Sequence, residues 1–122
     1  MHTLLVVEDH PPIVLLLRVT LAPLGHRLLE AADGASALRI LAHATPDIIL
    51  LDATLSGEID GYELCRSIRA MPRMAATRVI MITGHGGTDE VERAARAGVD
   101  RFILKPFAPS ALREAVAAFI SR

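Results

Sequence analysis

The chain has 122 residues, 52% of them hydrophobic and 22% charged, with 13 basic against 14 acidic side chains. That size and balance fit one domain with a real core, so residues 1–122 are read as a single unit, and a disordered chain is excluded. A formal charge of -1 leaves no electrostatic footprint for nucleic acid or an anionic membrane.

The only cysteine, Cys65, sits in a helical pattern and reads as a small buried hydrophobe, which excludes a disulfide framework or a paired-thiol metal site. Met1 runs straight into a short apolar stretch, with no basic leader and no span of membrane length, so a cytoplasmic protein is expected.

Short apolar runs alternate with longer helical patterns along the chain. A first strand, Thr3 to Val7, precedes a helix over Pro12 to Ala22, and a second strand, Arg27 to Glu30, precedes a helix over Ser36 to His43. The third strand, Asp47 to Leu51, and the fourth, Arg78 to Ile82, are apolar nearly throughout, as expected of central strands covered on both faces. Helices are expected over Gly61 to Met71, Asp89 to Ala97 and Pro109 to Ser121, with a fifth strand over Arg101 to Leu104. Asp33 and Asp60 are candidate N-caps, Gly25 and Gly98 candidate C-terminal glycines, and Pro109 suits a first helical turn. Five β-α units in succession predict an α/β doubly wound parallel sheet.

The first helix is apolar at Ile13, Val14, Leu15, Leu16, Leu17, Val19 and Leu21, which leaves almost no polar face. Such a helix is either buried or covered by a partner.

In an open α/β sheet ligands bind beyond the carboxyl ends of the strands. Here those ends carry Glu8 and Asp9, then Asp52, then Thr83, then Lys105 and Pro106. Three clustered carboxylates repel one another and call for a cation, and Mg²⁺ suits an all-oxygen site that must leave positions for phosphate oxygens. Asp9 and Asp52 would ligate directly and Glu8 through water. A carboxylate can also attack phosphorus when cations and donors neutralise the transferring oxygens, which is work for Lys105, Thr83 and the metal.

This set of five strand ends, in this order, resembles the receiver domain of two-component response regulators over essentially the whole chain. The resemblance implies a flavodoxin-like five-stranded sheet of order 2-1-3-4-5 with five helices on two faces. It further implies Asp52 as phosphoacceptor, the backbone carbonyl of Thr54 as a further Mg²⁺ ligand, Thr83 and Phe102 as the switch pair, and a cis bond between Lys105 and Pro106. The expected function is a signalling switch rather than an enzyme. A histidine kinase or histidine phosphotransfer protein would supply the phosphoryl group, and the first helix offers a face for docking it. Output would lie in an unknown domain or target protein, with no direct contact to nucleic acid or membrane.

One departure stands out. Ser56 occupies the place where this family usually carries proline, and the path from Asp52 to Asp60-Gly61 is slightly longer than usual, which puts the loop's rigidity in question. By the resemblance, Thr54 and His85 stand at positions whose side chains in this family tune access of the hydrolytic water, and His10 reads as a surface neighbour of the acidic pair. Gly84, Gly86 and Gly87 fit either a mobile loop or an ordinary turn.

Two rivals share the chemistry. A phosphatase of the haloacid-dehalogenase type also uses a strand-end Asp, a Thr, a Lys and Mg²⁺, but places its nucleophile on the first strand and its acidic pair last. A degenerate receiver would act as a binding module without taking phosphate. A homodimer through the fourth and fifth helices stays open, since Arg93, Arg96, Asp100, Arg101 and Arg113 are as well explained as solvated surface.

Overall fold

The strand residues alternate between two apolar clusters, and this alternation builds the layers of the fold. The structure is a computed structural model that describes residues 2–120. Its strands are β1 (Thr3–Val7), β2 (Arg27–Ala31), β3 (Ile48–Asp52), β4 (Arg78–Thr83) and β5 (Arg101–Leu104). The helices are α1 (Pro11–Leu21), α2 (Gly34–Leu41), α3 (Gly61–Arg69), α4 (Thr88–Ala97) and α5 (Pro109–Ile120). Leu5, Val7, Ile49, Leu51, Val79 and Met81 pack with α2, α3 and α4 on one face. Leu4, Val6, Ile48, Leu50, Ile80 and Ile82 pack with α1 and α5 on the other.

All strand pairs are parallel, in the order β2-β1-β3-β4-β5. The fold is therefore the doubly wound sandwich that the strand-helix alternation predicts. From β1 the chain goes first to β2 on one side and then to β3 on the other. That reversal opens a crevice between the carboxyl ends of β1 and β3, where Asp9 and Asp52 lie.

Several expected boundaries shift, each for a local reason. Helix α2 starts at Gly34 rather than Ser36, because the Asp33 side chain caps it by accepting the Ser36 N–H at 2.7 Å. Its end falls at Leu41 rather than His43. Helix α3 opens on a capping box in which Asp60 and Glu63 each accept the other's backbone N–H. It stops at Arg69 rather than Met71, since Pro72 disfavours a helical residue before it and the chain turns through a 3₁₀ segment, Pro72–Met74. Helix α1 begins at Pro11 and passes into a 3₁₀ turn, Ala22–Leu24, closed by Gly25 at φ 72°. The expected end of the last helix at Ser121 lies outside the described residues.

Gly25 and Gly98 close their helices in left-handed backbone, as expected of C-terminal glycines. Left-handed backbone occurs at Gly25, Gly57 and Gly98, whereas Gly84, Gly86 and Gly87 do not use it. A Cβ on Gly86 would come within 2.5 Å of the Leu104 side chain, which is exposed on β5 and has room to turn aside.

Nor are Arg93 and Asp100 simply solvated. Asp100 accepts the Val79 N–H and pairs with Arg69 and Arg78, while Arg69 also donates to the carbonyls of Gly98 and Thr77. This network ties the lower ends of α3, β4 and β5 together. Among the described residues no helix is long and apolar enough to cross a membrane.

Candidate functional site

Glu8 and Asp9 follow β1 immediately, and Asp52 is the last residue of β3. Register sets them side by side, with Val7 opposite Leu51. One carboxylate oxygen from each of Glu8, Asp9 and Asp52 lies within 4.8 Å of the others. Glu8 is 3% exposed and Asp52 4%, so their charges cannot be left to bulk water.

The neighbours show how the structure tolerates this. Lys105, placed by the turn after β5, reaches in with Nζ 3.2 Å from Glu8 Oε1 and 3.5 Å from Asp52 Oδ1. The backbone N–H of His10 donates to Glu8 Oε2 at 3.2 Å. Burial and the adjacent Asp52 charge push the Glu8 carboxyl above its usual range, against the pull of Lys105 and the His10 N–H. Asp9 moves the other way. Its partial burial opposes ionisation, but the donors of Ser56 and the Lys105 charge outweigh this and hold it below the usual range.

The chain after Asp52 folds back onto the acids. Thr54 donates to Asp52 Oδ1 from its backbone N–H at 3.1 Å and from its hydroxyl at 3.3 Å, and the Ser56 N–H donates to Asp9 Oδ2 at 3.0 Å. Leu55, between them, is buried at 7% exposure. The Gly61 N–H closes the loop on the Ala53 carbonyl at 3.0 Å.

Thr83 ends β4 one residue past Ile82, the partner of Asp52 in register, and its buried hydroxyl accepts the His85 N–H at 3.1 Å. The Lys105–Pro106 peptide bond is cis. Phe102 lies apart from the acids: half-buried on β5, it packs against the cluster beneath α4. The side chains of His10 and His85 are exposed, and only their backbone N–H groups touch the site.

Glu8, Asp9 and Asp52 form a donor set suited to Mg²⁺. All are hard oxygen donors, and one oxygen from each lies within 4.8 Å of the others, so one small cation can be reached by all three. They fit that ion, with water completing its shell.

Sequence reasoning missed a group beside this edge. Tyr62 donates its hydroxyl to Glu90 at 3.1 Å, and Arg93 covers the Tyr62 ring at 4.1 Å while pairing with Asp60 at 3.0 Å. The start of α3 is thereby fastened to α4. Only the spacing of Asp60 and Tyr62 at one helix start was visible in the sequence, and the pairing across helices was not.

Burial and the Glu90 carboxylate push the Tyr62 phenol from 10.0 up to about 12. Its contribution to stability is present in full below the unfolded value and is lost as pH rises through the folded one. The chain has one tyrosine and no tryptophan, so tyrosinate absorbance reads this group alone. The native midpoint is expected at about 12, falling towards the denatured value in Glu90→Gln; a native midpoint equal to the denatured one would refute the contact.

The sequence model for the response regulator receiver domain matches residues 4–117. The chain belongs to that family. This receiver domain is 37% identical to the virulence sensor protein BvgS of Bordetella pertussis, over 97% of its own length and 10% of that protein. It is 38% identical to the chemotaxis protein CheY1 of Helicobacter pylori, covering 91% of this chain and 90% of that one. The chain thus spans a tenth of the sensor and nearly all of CheY1. Among solved structures, the receiver domain of sensor histidine kinase PA1611 from Pseudomonas aeruginosa superposes with a TM-score of 0.89 at 30% identity, covering 99% of this chain and 98% of that one. That structure holds a magnesium ion coordinated in its active-site cleft. The receiver assignment sets aside the phosphatase of haloacid-dehalogenase type.

Proposed function

We propose that the domain is a phosphorylation switch in which Asp52 accepts a phosphoryl group from a histidine kinase or histidine phosphotransfer protein. The observation that carries this reading is the setting of Asp52. It is a buried strand-end carboxylate with a lysine ammonium at 3.5 Å and two further acids within reach of one cation.

In the reaction an Asp52 oxygen attacks phosphorus as the bond from phosphorus to the donor nitrogen breaks, and the electron pair of that bond leaves with the imidazole. Lys105 neutralises charge on the transferring oxygens, and the Thr54 N–H keeps the Asp52 carboxylate oriented. Glu8, Asp9, Asp52 and the Thr54 carbonyl would hold Mg²⁺, which would supply positive charge to offset that on the transferring oxygens.

The Thr83 hydroxyl, now accepting from His85, would turn towards the phosphoryl group and free space for Phe102. The α4–β5 surface, where Val91 and Leu104 are 46% and 49% exposed, would change with it. Leu15 and Val19 of α1, 57% and 63% exposed, give the donor's helices an apolar seat. A cytoplasmic setting and an output carried by another domain or protein accord with this role.

Incubation of the domain with acetyl phosphate and Mg²⁺, read by intact mass, tests the reading. One added phosphoryl group on the wild type and none on Asp52→Asn is expected. No gain on the wild type, or equal gain on both, rejects it.

A further inference from the structure

The departure at Ser56 has a structural counterpart. Its N–H reaches across 47 residues of sequence to Asp9 Oδ2 at 3.0 Å, a bond that the usual proline could not make. The donor is held in place from both sides. Leu55, at 7% exposure, is sunk among the residues of the α2–α4 face, and Gly57, at φ 99°, turns the chain away directly afterwards. Leu55 is thus an anchor with a donor on each flank: Thr54 on Asp52 and Ser56 on Asp9.

We propose that Ser56 is a positioning residue for the metal centre, its backbone N–H fixing the Asp9 carboxylate so that a divalent cation meets a ligand already oriented. This rests on the proposed use of the acids for Mg²⁺. A carboxylate has two oxygens with about four lone-pair sites, so one N–H on Oδ2 leaves Oδ1 free for a cation. Without the bond, Asp9, which is half-buried, would have to be ordered on binding, and that cost would weaken affinity. Outer groups that orient a ligand are commonly worth tenfold or more in metal affinity.

The Ser56 hydroxyl also helps keep Asp9 ionised, but the bond that fixes Oδ2 is made by the backbone N–H. Ser56→Ala keeps it and Ser56→Pro removes it. Calorimetric titration of the whole domain with Mg²⁺, without phosphodonor, is expected to give wild-type affinity for Ser56→Ala and about tenfold weaker binding for Ser56→Pro. Amide hydrogen exchange supplies a readout independent of both metal and proline. The Ser56 amide should be protected in the wild type and exchange like an open loop in Asp9→Ala. Wild-type affinity in Ser56→Pro, equal weakening in Ser56→Ala, or an unprotected Ser56 amide each overturns the clamp. A wild-type domain that binds no Mg²⁺ instead overturns the reading of the acids as a metal site.

Discussion

Gly61→Ala is expected to destabilise the domain by about 3 kcal/mol, at the upper end for overpacking. A Cβ built on Gly61 lies 2.3 Å from the Asp52 carbonyl oxygen and 2.7 Å from the Ala53 Cα. Both obstacles are backbone, so no rotamer change relieves them, and either β3 or the start of α3 must move. The movement falls on Asp52 itself and on the loop that holds Asp9, so Mg²⁺ affinity should fall with stability.

For a chain of this size the loss corresponds to a Tm lowered by roughly 10 °C or more. Gly84→Ala is the control: it has open space and no left-handed backbone, so it should stay within about 0.5 kcal/mol of wild type. Urea unfolding of the two variants decides the matter. Equal midpoints would show that the close approach at Gly61 is relieved at no cost.

That steric requirement was invisible in the sequence, where Asp60-Gly61 reads as a cap followed by a helix start. What the sequence carried well was periodicity and punctuation. Runs such as Ile48 to Leu51, in an alternating strand-helix pattern, read as central strands, and the acids at the ends of β1 and β3 are brought together by any doubly wound sheet of this order. The grouping of Glu8, Asp9 and Asp52 was therefore legible, as was Lys105 at the end of β5.

Side-chain direction was not legible. The apolar pattern of α1 says that the helix must be covered, yet a helix on one face of a sheet can bury only one stripe, here Leu17, Thr20 and Leu21. The bond from Ser56 to Asp9 and the fastening of Tyr62 to Glu90 are long-range pairings between loops and helix faces. Their partners follow no period along the chain, so only the folded arrangement reveals them.

Lys105→Met is expected to make stability depend steeply on pH and on Mg²⁺. Lys105 is the cation of the cluster, and its ammonium touches two carboxylates whose side chains are only 2% and 3% exposed. Removing one partner of a buried pair strands the charge left behind. Because Lys105 itself keeps 23% exposure, the cost at neutral pH is set below the fully buried case, at about 2 kcal/mol.

The direction with pH follows from Glu8, whose folded carboxyl already binds its proton more tightly than the unfolded one. A group raised in this way favours the folded state most below its unfolded value of 4.5, and that advantage is lost as pH rises through the folded value. Lys105 opposes the rise, so its loss raises Glu8 further and widens the window. The gap between variant and wild type should therefore be small near the unfolded value of 4.5 and larger at neutral pH and above.

Mg²⁺ at the higher pH should restore much of the lost stability, since a dication on the same oxygens replaces the missing charge. On the proposed role of Lys105, phosphorylation of Asp52 by acetyl phosphate should nonetheless stay slower by about a hundredfold, as expected when a stabiliser of the transferring oxygens is lost. Urea unfolding at both pH values, with and without Mg²⁺, separates these effects. A destabilisation equal at both pH values and unmoved by Mg²⁺ would mean that Lys105 acts through packing of its stem rather than through its charge.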